Sequence, residues 1–242
     1  TKIMEEIAMA VESLCVEPSS SSPTSSASKP FTSAHLEKSI EIIVDAIRIF
    51  GSSSVAISFN GGKDACVILY LLITALKRKS SLGNLGKDLK IIYFEHQFEF
   101  EEVHDFLCII RKKLGVDFVE FKSEKNFKDG MQELVDEHNV KAIIMGTREG
   151  DPYTQGAEYF QPSSSNWPAF MRVNPILRWS YDQVWSFLRQ GNLPYCVLYD
   201  EGYTSIGNMN NTVKNQALIK DDGSYLPAYQ LTDGTLERRS RA

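Results

Sequence analysis

Ser54-Val-Ala-Ile-Ser-Phe-Asn-Gly-Gly-Lys-Asp-Ala-Cys-Val-Ile-Leu-Tyr-Leu-Leu-Ile73 decides the fold. Its first six residues, Ser54 to Phe59, are short, rich in β-branched residues and bounded by small ones, the pattern of a buried strand. Beyond the glycine pair, Asp64 to about Lys79 is apolar almost all round (Ala65, Cys66, Val67, Ile68, Leu69, Leu71, Leu72, Ile73, Leu76), which predicts a helix packed against a sheet. A strand that turns through glycines into a helix places backbone N–H groups and the positive end of the helix dipole where they can hold an anion. Gly61 and Gly62 let the backbone approach a phosphate and adopt positive φ. Lys63 adds a cation, and Asn60 and Asp64 add oxygen ligands of the kind Mg²⁺ accepts. The spacing is not Gly-x-x-x-x-Gly-Lys-Ser/Thr, so the loop is not a Walker A loop. A plain tight turn is the competing reading.

Working outward, Ala34 to Phe50 repeats Leu36, Ile40, Ile43, Val44, Ile47 and Phe50 at helical spacing and stops at Gly51. Downstream, strands are expected at Lys90–Phe94, Asp117–Phe121 and Lys141–Met145, alternating with helices at Glu101–Leu114 and Phe127–His138. Repeated β-α-β predicts an α/β fold, a parallel sheet with right-handed crossovers and helices on both faces. Ligands of such sheets bind at the carboxyl ends of the strands, here the loops that begin at Ser58, Phe94 and Met145.

Residues 34–190 are therefore expected to form a nucleotide-binding α/β domain, closed by a helix from Ser180 to Arg189 whose Ser180 and Gln183 have capping-box spacing. Residues 191–242 read as a loop-rich C-terminal extension. Trp167, Trp179, Tyr195, Tyr199, Tyr203, Tyr225 and Tyr229 lie outside that helix; they suit a wall for a flat ligand or packing beneath long loops, with Trp179 and Trp185 expected in the core. Residues 1–33 read as a flexible segment holding a short amphipathic helix (Ile3, Ile7, Val11, Leu14) and a Ser/Thr/Pro linker from Pro18 to Pro30.

A formal charge of −5 over 242 residues does not favour nucleic acid or an acidic membrane, so phosphate binding must be local. Cys15, Cys66, Cys108 and Cys196 are far apart, and His35, His96, His104 and His138 have no zinc-ligand spacing. No secretory leader or spanning segment is read, and a cytoplasmic location is the expectation.

Ser58-Phe59-Asn60-Gly61-Gly62-Lys63-Asp64 resembles the PP-loop of adenylate-forming and sulfonucleotide enzymes, the adenine nucleotide alpha hydrolase-like fold. Further blocks narrow the match: Gly146-Thr147-Arg148 with Asp151-Pro152-Tyr153, Asn166-Trp167-Pro168-Ala169-Phe170-Met171-Arg172-Val173-Asn174-Pro175, and Leu193-Pro194-Tyr195-Cys196 through Gly202-Tyr203-Thr204-Ser205-Ile206-Gly207. With the tail Leu236-Glu237-Arg238-Arg239-Ser240-Arg241, they resemble eukaryotic FAD synthetases in order from about Ala34 to the end.

The resemblance implies an FMN adenylyltransferase that moves AMP from ATP to FMN and releases FAD and pyrophosphate, with Mg²⁺ as cofactor, small molecules as its partners and flavin-requiring proteins as clients. It implies that Ser58 to Asp64, Gly146 and Arg148 face ATP, and that Asn60, Asp64 and Asp151 lie near the metal. It puts Asp151, Asn166, Trp167, Arg172, Tyr203, Arg238 and Arg241 on the flavin side. Asn60, Asp64, Asp151, Arg238 and Arg241 are the residues it makes catalytic. Two departures stand out: Ser163-Ser164 replaces the family's Thr-Asp before Trp-Pro, and Ala65-Cys66 follows Asp64 where a hydroxyl residue is common. The alternatives are a sulfonucleotide (PAPS) reductase-like enzyme, which needs a nucleophilic cysteine in its tail, and a non-catalytic nucleotide or flavin binder.

Overall fold

The computed structural model describes residues 2–14, 31–81, 85, 87–122, 124–152 and 154–241. Cys15, the Pro18 to Pro30 linker and Tyr153 lie outside the described residues. Along the chain run α1 (Lys2–Ser13), α2 (Ser33–Phe50), β1 (Val55–Ser58), α3 (Lys63–Arg78), β2 (Lys90–Phe94), α4 (Glu101–Leu114), β3 (Phe118–Phe121), α5 (Phe127–Asp136), β4 (Ala142–Ile144), β5 (Phe160–Pro162), β6 (Met171–Val173) and α6 (Tyr181–Gln190).

The six strands form one sheet in the order β3-β2-β1-β4-β6-β5. All neighbours are parallel except β5 and β6, which pair antiparallel at the edge. Alternation along each strand divides the core. Val55, Ile57, Ile91, Ala142 and Ile144 face the larger cluster with α2, α3, α4 and α6, while Ala56, Ile92 and Ile143 face Met131 and Leu134 of α5. Helices therefore cover both faces, as the α/β reading requires. From β1 the chain moves outward to β2 and β3, then returns to lay β4 on the other side of β1. That reversal brings the loops after β1 and β4 side by side, and an open α/β sheet has its crevice at such a switch point.

Each expected helix and each of the four expected strands is present within a few residues of its anticipated bounds, including the reciprocal capping box of Ser180 and Gln183. The β5–β6 hairpin was not legible. Each strand has three residues, and Pro162 withholds an N–H in a way only an edge strand tolerates.

The described helix of the amino-terminal segment is packed rather than flexible. α1 buries Met4, Ile7, Ala8 and Val11 in the main core, and Arg78 at the end of α3 donates to Glu12 of α1 and Glu37 of α2. The loop-rich extension packs into the body of the fold, with Leu193, Cys196, Leu198, Tyr199, Leu218, Ala228 and Leu231 in that same core. Trp185 takes Tyr181, Tyr195, Tyr199 and Tyr229 edge-to-face at centroid distances of 6.2, 5.2, 5.3 and 6.0 Å. Most of the loop aromatics are thus packing, and Trp179 and Trp185 are buried as expected.

Gly130 sits inside α5, where glycine ordinarily costs ~1 kcal/mol relative to alanine. Here a Cβ would meet the Phe94 ring at 2.6 Å and Phe121 at 3.2 Å, and those two rings are stacked at 4.7 Å. Gly130→Ala is expected to lower the melting temperature by several degrees against the helix-propensity trend; a rise on thermal denaturation would contradict this packing.

Candidate active site

At the carboxyl end of β1 the chain makes the turn Phe59 to Gly62, with Gly61 at φ +74°. Asn60 Oδ1 accepts the Gly62 N–H at 3.1 Å, an Asx turn, and Tyr199 Oη accepts the Lys63 N–H at 2.9 Å. Asn60 therefore shapes the loop. Two of the expected cradle donors are satisfied within the protein, whereas the Asp64 and Ala65 N–H groups in the first turn of α3 have no acceptor among the described residues. They open on a cavity of about 240 Å³.

The cavity is walled by the loop, by Met145, Gly146 and Thr147 after β4, by Tyr199, Ser205 and Ile206, and by Glu237, Arg238 and Arg241 of the tail. Gly146 is required there by contact: a Cβ would lie 2.9 Å from the Asp64 carbonyl carbon, so only glycine lets the β4 loop close on the start of α3.

Set into this wall is a cluster of four charges, three of them lining the cavity. Asp64 accepts Lys63 Nζ at 3.0 Å on one oxygen and Arg148 Nε at 2.7 Å on the other. Glu237 accepts Arg148 Nη2 at 2.8 and 2.6 Å and also takes the Lys63 ammonium. Lys63 and Arg148 expose only 2% and 6% of their side chains. Lys63 is thus not the free phosphate-facing cation its sequence context suggests; its ammonium is committed to two carboxylates. The ladder continues outward, with Asp151 accepting the Arg148 N–H at 2.8 Å and Arg238 Nη2 at 2.7 Å.

Burial pushes the pKa of Asp64 upward, but Arg148 and then Lys63 outweigh it and hold the carboxyl below the usual aspartate range. Burial likewise opposes the charge of Arg148, and Asp64 and Glu237 override it. Arg241 is different. It donates to Ile206 O at 2.6 Å, Asn211 Oδ1 at 3.2 Å and Ser205 Oγ at 3.2 Å, and no carboxylate pairs with it among the described residues. Burial and the nearby Arg238 pull its pKa down from the ordinary arginine value, yet a guanidinium stays charged. Among the described residues it is the cation of the cavity wall that no carboxylate compensates.

Of the residues the sequence singles out, the fold brings Ser58, Asn60, Gly62, Lys63, Asp64, Gly146, Asp151, Arg238 and Arg241 to one cavity, with Arg148 in the cluster behind it. Phe59 is fully buried beside it, packed edge-on against Phe118 at 5.9 Å, and Gly61 lines an adjoining cavity of about 240 Å³ with His96, Glu99, Asn208 and Asn211. Asn166, Trp167, Arg172 and Tyr203 line neither cavity. Asn166 and Trp167 are exposed in the β5–β6 turn, with Trp167 against Phe127 at 5.7 Å; Arg172 lies on β6; Tyr203 packs on Phe100 at 5.5 Å. Glu237 was missed as a site residue, and Tyr199 was expected only as a wall for a flat ligand or as packing, not beside the glycine loop. Both stand inside quoted motifs, but only folding shows that they meet Lys63.

Among the described residues no three His, Cys, Asp or Glu side chains gather as a metal cage. Asp64 and Asp151 each already accept two N–H groups, and a carboxylate offers about four lone-pair positions. That spare capacity fits Mg²⁺, which keeps one or two protein carboxylates and takes its other ligands from phosphates and water.

An open, largely parallel sheet with a glycine turn at its switch point and cations around the turn defines a PP-loop nucleotide-binding domain. The model of the phosphoadenosine phosphosulfate reductase domain matches residues 54–135 and 129–214. A probable FAD synthase of Schizosaccharomyces pombe is 37% identical over 209 residues, covering 85% of this chain and 78% of that one. One from Caenorhabditis briggsae is 35% identical over 86% of this chain, which spans only 40% of that relative. The chain belongs to the FAD synthase family within the phosphoadenosine phosphosulfate reductase-type domains. Among solved structures, Candida glabrata FMN adenylyltransferase in complex with FAD and inorganic pyrophosphate shares the fold, with a TM-score of 0.85 at 22% identity over 99% of this chain and 98% of that one.

Gly146→Ala is expected to weaken binding of a non-hydrolysable ATP analogue at least roughly tenfold by calorimetry while the circular dichroism spectrum is kept, since the backbone at Asp64 must move. A depressed aspartate pKa contributes stability that is complete above the unfolded value of about 3.9 and is lost as pH falls through the folded one. The stability gap between the native chain and Asp64→Asn should therefore hold from neutral pH to about 4 and narrow only below it, in denaturant titrations.

Proposed function

We propose that this chain is an FMN adenylyltransferase: it joins FMN to the AMP half of ATP, giving FAD and pyrophosphate. Family membership supports the reading, and so does the cavity at the switch point. The observation that carries it is the pairing, in one cavity, of free first-turn amides with Arg241, a cation that no carboxylate neutralises among the described residues. That wall is built for a polyphosphate.

In this reaction an oxygen of the FMN phosphate attacks the α-phosphorus of ATP, the bond to the β-phosphate oxygen breaks, and pyrophosphate leaves. A phosphomonoester with a second pKa of about 6 reaches neutral pH largely as the dianion, so no general base is needed. The protein's task is to bring two anions into line and to stabilise charge on the departing pyrophosphate. The α3 amides and Arg241 bind the ATP phosphates. Arg238, which pairs with Asp151 at the cavity wall, receives the FMN phosphate in this reading. Gly146 lets the β4 loop approach the nucleoside. Mg²⁺ would be held by Asp64 and Asp151 and, when bound, offsets repulsion between the phosphates. Asn166, Trp167, Arg172 and Tyr203 are assigned to the flavin ring by family likeness alone.

The reductase alternative needs a thiolate. Burial pushes Cys196 up to about 11 and Cys66 well above its ordinary value, so both thiols stay protonated at neutral pH.

Incubated with FMN, ATP and Mg²⁺, the purified chain should yield FAD and pyrophosphate in equal amounts by chromatography and pyrophosphate assay. Tight binding of both substrates without FAD would instead favour a non-catalytic binder. Asp64→Ala is expected to cut turnover by about a hundredfold or more with the fold intact.

A further inference from the structure

Glu237 stands between two cavities. It lines the one at the glycine loop and also a larger one of about 660 Å³ bounded by Trp179 to Asp182 and Thr232 to Thr235. Its carboxylate gathers the Lys63 ammonium and the Arg148 guanidinium, one from the first turn of α3 and the other from the loop after β4. No task in phosphate binding falls to this anion, which would repel ATP if it faced the phosphates unpaired.

We propose that Glu237 is a positioning residue for adenylyl transfer: it holds Lys63 and Arg148 in place behind the first turn of α3, so that docking of the tail completes the ATP cradle. The inference rests on the FMN-adenylating reading.

Four observations carry it. The two cations are almost wholly buried, so solvent cannot set their rotamers. Asp64 gives each of them one oxygen; without Glu237, Arg148 Nη2 loses both its acceptors and Lys63 keeps Asp64 as its sole carboxylate partner. Buried cations left short of acceptors move or admit water, and both shift the α3 amides beside them.

The carboxylate is also delivered to a fixed point. Thr204 Oγ1 donates to Glu237 O at 2.6 Å, Asn215 Nδ2 donates to Leu236 O at 2.9 Å and to Thr204 Oγ1 at 2.8 Å, and Ser240 Oγ accepts the Thr204 N–H at 3.0 Å. Thr204, Asn215 and Ser240 are fully buried, so the segment is clamped from within. Finally, Gly234–Ser240 is a 3₁₀ helix, in which residues three apart share a face. Arg238 and the following Arg241 line the loop cavity, and Glu237, one step back, lines it too while its carboxylate takes Lys63 and Arg148. Fixing Glu237 therefore fixes where both arginines project.

The test uses the full chain carrying Glu237→Gln and, separately, Glu237→Asp. FAD formation is measured per folded molecule, with the folded fraction read by circular dichroism, and a non-hydrolysable ATP analogue is titrated by calorimetry. For Glu237→Gln, kcat is expected to fall about a hundredfold and the analogue Kd to rise about tenfold, with Glu237→Asp between it and the native chain. Turnover per folded molecule within about threefold of native, whatever the melting temperature, would make Glu237 a structural residue only and overturn the proposal. Should the Gln variant not fold, Glu237→Asp, which keeps the charge but retracts it by one methylene, decides by the same criterion. If the native chain binds the analogue but makes no FAD, the functional reading fails. The positioning role is then judged on the analogue alone, and an unchanged Kd in the variants sinks it.

Discussion

Two buried cations shared between two carboxylates tie this molecule together. Lys63 and Asp64 come from the start of α3, Arg148 from the loop after β4, and Glu237 from the tail, so one charge cluster joins three segments that the chain visits far apart. Taking such charges out of water costs several kcal/mol per ion, and the pairing offsets this because each carboxylate oxygen of Asp64 and Glu237 accepts from Lys63 or Arg148. The cluster is weak ground for stability. It is strong ground for register: any other docking of the tail, or any retreat of the β4 loop, leaves a buried charge without its counterpart.

That register governs what the cavity offers a ligand. Most charge at the site is cancelled internally, Asp151 by Arg238 and Asp64 and Glu237 by Lys63 and Arg148. The remaining donors are first-turn amides of α3, fixed by the helix, and the Arg241 guanidinium, held by Ile206 O, Asn211 Oδ1 and Ser205 Oγ. Preorganised donors of this kind need no reorganisation when charge develops on a leaving group. A chain of net charge −5 can thus bind polyphosphate through a local field.

The fold was legible wherever an element was long enough to show its period. α3 declares itself by thirteen buried positions, and the strands β1, β2 and β4 by β-branched runs between small residues. β5 and β6 were not legible, because three residues carry no period and Pro162 argues against a strand. The loop aromatics were ambiguous because an aromatic ring suits a core and a ligand wall equally; Trp185, ringed by four tyrosines, shows which use most of them serve. The glycine loop was legible as an anion site, but the pairing of Lys63 with Glu237 was not, since nothing local reveals that Glu237 waits 174 positions downstream.

The sequence by itself determined the α/β alternation, the position of the glycine turn at a strand's exit and, through its motifs, the family. These follow from local periodicity, turn chemistry and motif order, which need no knowledge of what lies opposite. Only the tertiary structure decided which charges are spent on each other and which face a substrate. Salt bridges and cavity walls are made between segments, and their partners are set by the return of β4 beside β1 and by the clamping of the tail through Thr204 and Asn215. A side chain's chemistry is written at its own position, but its electrostatic role depends on neighbours that folding supplies.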